Sequence, residues 1–392
     1  MKKKILVVNH QMQLGGVCIA AKNFIENMKD DYEIEYMLAK PNGELDNRMP
    51  KEVKVSYIPY PLNVASMSRK KELKSYGLKY FFKKITILAC LKIFTPSFIA
   101  KKLCKFTEKN KNHYDIIINN DMDMNPKNFG ACHAYTKHLV DAPIKVLIIH
   151  GDFLANNYNV KQFKKDFIPV YNYIVTMSNP LRQQLVNLYP EYVEKFIVIP
   201  NFEATEDIKN LSLEQKINFD NKYINIVSAS RLTELKGIMR SLKVFKKLKE
   251  DGFNFYWHIL GDGEQRPEIE QYIKENGLEN NVRLWGLQNN PYPYMKAADM
   301  LYLGSYHESY GLVLVESMIV GRPVVTTNTA SAEEVVNEKY GWICDNNEDG
   351  IYNIFKDIFS NPQKLKEKTN NLKSYEFDNE SIKKKYDDLI RG

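Results

Sequence analysis

The stretch Ser305-Tyr306-His307-Glu308-Ser309-Tyr310-Gly311-Leu312-Val313-Leu314-Val315-Glu316 places two carboxylates with seven residues between them. Glu308 precedes an apolar helical pattern and Glu316 lies inside it. A carboxylate accepts hydrogen bonds, and sugar or ribose hydroxyls offer the matching donors. Gly311 permits close backbone approach, and the N–H groups around Gly311–Val313 would point at an anion. Glu316 shares its turn with Leu312, Val313, Leu314, Val315, Met318 and Ile319. A lone carboxylate there is costly, which favours a ligand role over a solvated one.

A second cluster is Ser228-Ala229-Ser230-Arg231-Leu232-Thr233-Glu234-Leu235-Lys236-Gly237, an apolar run leading into a polar loop and then a helix. Two cations at the carboxyl end of a strand, beside a helix N-terminus, suit a diphosphate. Near the start of the chain, Asn9-His10-Gln11 is followed by Leu14-Gly15-Gly16 and a helical pattern from about Val17. Glycines there would admit a phosphate, although a tight turn is the somewhat better account of them. Gly261-Asp262-Gly263 lacks the further glycine of a dinucleotide fingerprint. Asp121-Met122-Asp123 has the form of a metal-binding D-x-D, but no other carboxylate or His cluster accompanies it. An acidic loop and no metal site are expected.

These residues need strands and helices to hold them. Short apolar runs recur at 5–9, 34–39, 53–58, 115–119, 144–150, 173–178 and 196–200, then at 223–230, 255–261, 282–287, 300–304, 323–327 and 341–345. Runs so short and so uniformly apolar predict parallel strands covered by helices on both faces. The polar segment Glu203–Lys222 separates the two series and reads as a linker. Two doubly wound α/β domains follow, residues 1–202 with a C-terminal helix of about 376–392, and residues 203–375. Such sheets bind ligands beyond the carboxyl ends of their strands, and two facing domains would enclose a cleft.

The 392 residues, 44% hydrophobic and 12% aromatic, exclude wholesale disorder. The net charge of +7 is uneven: residues 1–200 carry +12 and residues 201–392 carry −5. Segment 69–106 alone holds 11 basic residues against Glu72, interleaved with Leu, Phe, Tyr and Ile at partly helical spacing. That pattern predicts docking on an anionic membrane surface, with two packed helices bearing solvated lysines as the alternative. No nucleic-acid-binding motif accompanies it. Five cysteines without close spacing fit a reduced, cytoplasmic protein. The opening MKKKILVVNHQM reads as a first buried strand rather than a leader, and no apolar run is long enough to span a bilayer.

Together, SASRLTELKG (228–237), HILGDGEQRPEIE (258–270), NNVRLWGL (280–287), HESYGLVLVES (307–317) and GRPVVTT (321–327) resemble glycosyltransferase family 4 in order and spacing. LGGV, IIHGDF (148–153), TMSN (176–179) and IPN (199–201) add weaker likeness, whereas residues 40–115 match nothing in it. The resemblance implies a GT-B fold and a retaining, metal-independent transferase without a cofactor. It would use a nucleotide sugar, UDP-linked by expectation, as co-substrate. Arg231 and Lys236 would hold the donor diphosphate, with Gly16 approaching from the other domain. Glu308 would contact the sugar hydroxyls, Gly311 and Leu312 would donate N–H groups, and Glu316 would bind the ribose. Gly286 and Leu287 would flank the base, and His150 would stand near the reacting sugar. The implied acceptor is a glycolipid or polyisoprenyl-diphosphate glycan in surface polysaccharide assembly (capsule, lipopolysaccharide or teichoic-type) at the inner face of the cell membrane. The rival readings are a catalytically silent partner subunit and a sugar-nucleotide epimerase of the same fold.

Overall fold

A computed structural model describes residues 2–12, 15–40, 49–66, 78–122 and 130–391. The chain divides into two units, Met1–Phe202 with Asn379–Gly392, and Glu203–Asp378. Among the described residues, each of the apolar runs expected as a strand forms one.

The first unit is built on β1 (Lys4–Asn9), β2 (Glu33–Leu38), β3 (Lys54–Tyr57), β4 (Ile116–Asn119), β5 (Ile144–Ile149), β6 (Tyr173–Thr176) and β7 (Phe196–Val198). They form one parallel sheet in the order β3-β2-β1-β4-β5-β6-β7. The central strands β1 and β5 are buried beyond their first one or two residues, and β4 at every residue. This is the two-faced burial that their apolar sequences demand. After β1 the chain enters α1 (Gly16–Met28), whose first backbone bonds return to the Gly15 carbonyl.

Two helices follow within the basic stretch, α2 (Leu78–Cys90) and α3 (Pro96–Cys104). Their inward residues Ile87, Ile99, Ala100, Leu103 and Cys104 join the core that includes Leu6, Val8 and Ile117. Thr95 caps α3 by accepting from the Phe98 N–H at 3.3 Å. The opposite face is unusual. Phe82, Ile85, Phe94 and Phe98 are exposed, as are Ile93 at 78% and Phe106 at 76%. Lys92, Lys101, Lys102 and Lys105 are exposed alongside them. The part of the basic stretch at 69–77 lies outside the described residues.

The C-terminal helix Asn379–Arg391 packs on α1 in this unit. Tyr386 meets Phe24 edge-on at 4.9 Å and stacks with Phe202 at 5.6 Å, while Tyr32 donates to Asp387 at 2.6 Å.

The second unit contains β8 (Ile224–Ala229), β9 (Phe255–Leu260), β10 (Val282–Gly286), β11 (Met300–Leu303), β12 (Val324–Thr327) and β13 (Gly341–Cys344). Their parallel order is β10-β9-β8-β11-β12-β13. Segment 203–222 is not the bare linker expected from its polarity. It forms α4 (Thr205–Leu211), whose Ile208 is buried with Leu314, Val315 and Leu372. One apolar anchor is enough to dock it. From β8 the chain passes a short 3-10 turn, Glu234–Lys236, into α5 (Ile238–Glu250). From β11 it passes a loop into α6 (Leu312–Ile319).

Gly237 joins that turn to α5 with φ +66°, and a Cβ there would lie 2.1 Å from the Gly304 carbonyl oxygen. Only glycine satisfies both the left-handed backbone and the close approach. Gly237→Ala should therefore lower the melting temperature by several degrees, corresponding to roughly 2 kcal/mol or more. An unchanged melting curve would contradict the packing of α5 against the β11 loop.

Candidate functional site

In each sheet the winding reverses between two central strands, β1 and β4 in the first and β8 and β11 in the second. Loops leaving such neighbours run to opposite faces and leave a crevice at the carboxyl end, the usual ligand position in this architecture. In the second unit those two loops carry Arg231 and Lys236 after β8, and Glu308 and Gly311 after β11.

The structure brings Lys236 and Glu308 together. Their ion pair measures 2.5 Å, with both side chains largely buried, and Ser305 Oγ donates to the same carboxylate at 3.3 Å. Arg231 is exposed on the same loop. Gly311 caps α6 with φ +77°, and a Cβ there would press on Leu314 Cδ1 at 3.0 Å and Glu308 Cγ at 3.4 Å. The backbone before α6 therefore lies directly against Glu308. Leu312 is the first helical residue. The β11 loop is pinned from the next strand and beyond: Thr327 donates to the Ser305 carbonyl at 2.6 Å, and Ser331 donates to that of Ser309. Cations, a carboxylate and a helix N-terminus thus share one end of the sheet. Gly286, with φ +70°, and the exposed Leu287 end β10, two strands away from β8.

Glu316 is buried inside α6, but it does not stand alone. Tyr292 donates to its Oε1 at 3.2 Å. Burial pushes its carboxyl up to about 7. The second carboxyl group is Glu203, also buried. Burial first, and then the charge of Glu316, raises it well above the ordinary carboxylate range. Half-buried Tyr310 and Tyr375 are raised by desolvation and, secondarily, by Glu203, so they lie near the same acidic spot. Two carboxyl groups in one low-dielectric place do not both ionise readily. The pair can retain a proton near neutral pH, offering both a hydrogen-bond donor and acceptors. Glu203 escaped the sequence reading because its polar surroundings suggested a linker; its position two residues after IPN, behind Phe202, was the available signal.

In the first unit, His150 follows β5. Its Nε2 lies 2.9 Å from Asn120 Oδ1, and Asn120 Nδ2 donates to the Val17 carbonyl at 3.2 Å. Asn120 therefore joins the histidine to the first turn of α1, beside Gly16. Because the amide nitrogen is committed to Val17, the oxygen faces His150, and Nε2 must carry the proton. Burial lowers this imidazole to about 4, so it is neutral at physiological pH. Asn120 was also missed; it directly follows Asn119, the last residue of β4. Asp121 follows that strand as well, while Leu14, Asp123 and the rest of 123–129 lie outside the described residues. Among the described residues, no three His, Cys, Asp or Glu side chains gather as a metal site would require.

Residues 210–376, inside the second unit, match the family described as Glycosyl transferases group 1. An uncharacterized glycosyltransferase of Methanocaldococcus jannaschii is 26% identical over 186 residues, 44% of this chain and 45% of the relative. The N-acetylgalactosamine-N,N'-diacetylbacillosaminyl-diphospho-undecaprenol 4-alpha-N-acetylgalactosaminyltransferase of Campylobacter jejuni is 28% identical over 228 residues, 57% of this chain and 61% of that one. The aligned stretch thus spans less than two thirds of either relative. Among solved structures, Anabaena HepE in complex with UDP and glucose superposes with a TM-score of 0.68 at 16% identity, covering 99% of both chains. The fold is accordingly α/β of the GT-B type.

The acidic pair has a measurable consequence. Since Glu316 titrates near 7 when folded against an ordinary value of 4.5, the native state binds more protons between those limits. Its contribution to stability is therefore lost as pH rises through that window. Glu316→Gln should raise the melting temperature relative to wild type at pH 8 and change it much less at pH 5. Equal differences at both pH values would exclude this account.

Proposed function

We propose that this chain is a retaining, metal-independent glycosyltransferase of family 4, transferring a hexosyl or N-acetylhexosaminyl group from a nucleotide sugar. The observation that carries this reading is the convergence of Arg231, Lys236, Glu308 and the start of α6 at the β8/β11 reversal, within the stretch that matches the group 1 family. UDP is the favoured nucleotide because the superposing Anabaena protein was solved with UDP and glucose. A lipid-linked acceptor is favoured by the name of the Campylobacter relative, which ends its substrate in diphospho-undecaprenol. Surface polysaccharide assembly agrees with relatives named for amylovoran and lipopolysaccharide core biosynthesis.

In this mechanism Arg231 and Lys236 bind the diphosphate, with the N–H groups at Gly311 and Leu312 beside it. Glu308 accepts hydrogen bonds from the sugar, Glu316 holds the ribose, and Gly286 and Leu287 flank the base. The bond from the anomeric carbon to the diphosphate oxygen breaks with its electrons going to the phosphate. The acceptor oxygen attacks the same face, and its proton passes to the leaving phosphate oxygen. Negative charge grows on the diphosphate, so Arg231 and Lys236 lower the barrier electrostatically. His150, neutral, orients a hydroxyl near the reacting sugar.

Incubation of the chain with a panel of UDP-sugars and a lipid-linked acceptor should give a product of retained anomeric configuration, insensitive to EDTA. Lys236→Ala or Glu308→Ala should slow transfer by roughly 100-fold or more with unchanged folding. Near-native rates in both variants would refute the role of these residues, and EDTA inhibition reversed by Mn²⁺ would refute metal independence.

The proposed site of action is the inner face of the cell membrane, approached through α2, α3 and the residues that follow them. Exposed Phe82, Phe94, Phe98 and Phe106 supply apolar insertion, and the neighbouring lysines complement anionic headgroups at about 1 kcal/mol each. Among the described residues, no helix is long and apolar enough to cross a membrane. The chain should float with phosphatidylglycerol vesicles and remain behind with phosphatidylcholine vesicles at low salt. Equal, negligible binding to both would exclude the membrane as partner.

A further inference from the structure

Arg240 sits on the third residue of α5, more than nine-tenths buried, and among the described residues it has no carboxylate partner. A buried guanidinium without a counter-charge is expensive, so its hydrogen bonds define what it is for. Nη2 donates to the Gly304 carbonyl at 2.8 Å, and Nη1 donates to the Asn346 carbonyl at 3.1 Å. Its Cζ lies over the Tyr306 ring, 3.9 Å from the ring centre. Asn346 in turn donates to the Tyr306 carbonyl at 3.0 Å. The Tyr306 N–H donates to the Leu235 carbonyl at 2.8 Å, one residue before Lys236.

Every one of these contacts fixes the turn Gly304–Tyr306, which leaves β11 and leads within two residues to Glu308. The same turn is where Gly237 presses on the Gly304 carbonyl. Fork, stacking and backbone bond thus tie the loop bearing Glu308 to the loop bearing Lys236. We infer that Arg240 is a positioning residue that holds the Gly304–Tyr306 turn and thereby sets Glu308 against Lys236 and the donor sugar. It touches no substrate in this assignment. A lysine would keep the charge but not the planar fork or the stacking.

The inference rests on the transferase reading for its kinetic part and on the fold alone for its structural part, so the experiment has two arms. In the first, hydrogen exchange of the unliganded chain is compared among wild type, Arg240→Lys and Tyr306→Leu. Amides of 305–311 should exchange about tenfold faster in both variants, while those of β8 and β9 are unchanged. Unchanged loop exchange, or equal acceleration through the whole second unit, would overturn the inference. In the second, kcat for transfer should fall about 10- to 100-fold with donor KM altered less than about threefold. Wild-type-like kcat would overturn it too. If wild type transfers no sugar from any nucleotide donor, the transferase reading fails and the exchange arm alone decides the brace. Tyr306→Leu alters a partly exposed ring, which keeps the test open should Arg240→Lys fold poorly.

Discussion

The reversal of winding between β8 and β11 is the constraint on which the rest of the second unit depends. Because both strands are buried in a parallel sheet, neither loop can begin before the last ladder residue, so both emerge at one end and side by side. α5 and α6 then leave toward opposite faces. The separation between Lys236 and Glu308 is set by that geometry and by the close contact of Gly237 with the Gly304 carbonyl. A side chain at Gly237 would force the two loops apart at the place where an ion pair joins them.

Charge in this region follows from the same closeness. Lys236 and Glu308 neutralise each other while largely withdrawn from water, which offsets part of the desolvation cost each would bear alone. An arriving diphosphate would give Lys236 a new partner, and a sugar hydroxyl would satisfy Glu308 without restoring the lost charge. Arg231, exposed on the same loop, adds cationic character without a buried competitor. The deeper carboxyl groups, Glu203 and Glu316, follow the opposite logic. Burial keeps them hungry for protons, and hydroxyl groups suit such a site better than phosphates do.

The strands were legible because two-faced burial writes itself as short apolar runs, and the reversal-point loops because polar and glycine residues directly follow those runs. Glu308, Gly311 and Lys236 stand out for that reason, since each sits just beyond a strand or just before a helix. The residues that remained hidden act over long sequence distances. Arg240 faces Gly304 and Asn346, and Glu203 faces Glu316, pairings that periodicity within one segment cannot reveal. Polarity also misled at 203–222, where a single isoleucine docks a helix otherwise rich in charge. In the basic stretch the sequence showed amphipathicity but not its orientation. The fold settles it by burying Ile87, Ile99 and Leu103 and leaving the phenylalanines outside.

His150 shows how second partners decide what a functional group can do. Its position after β5 suggests an acid, a base or a cation equally well. Asn120 and burial together remove two of those choices. By committing its amide nitrogen to the Val17 carbonyl, it presents only an acceptor to the imidazole, which fixes the proton on Nε2 and leaves the lone pair on Nδ1. Burial then holds the ring neutral far below physiological pH. A neutral ring of this tautomer can accept a hydrogen bond from a hydroxyl but cannot offset a developing negative charge. Under the proposed transfer, stabilisation of a leaving diphosphate would accordingly come from groups that are always cationic, such as Arg231 and Lys236 on the loop after β8.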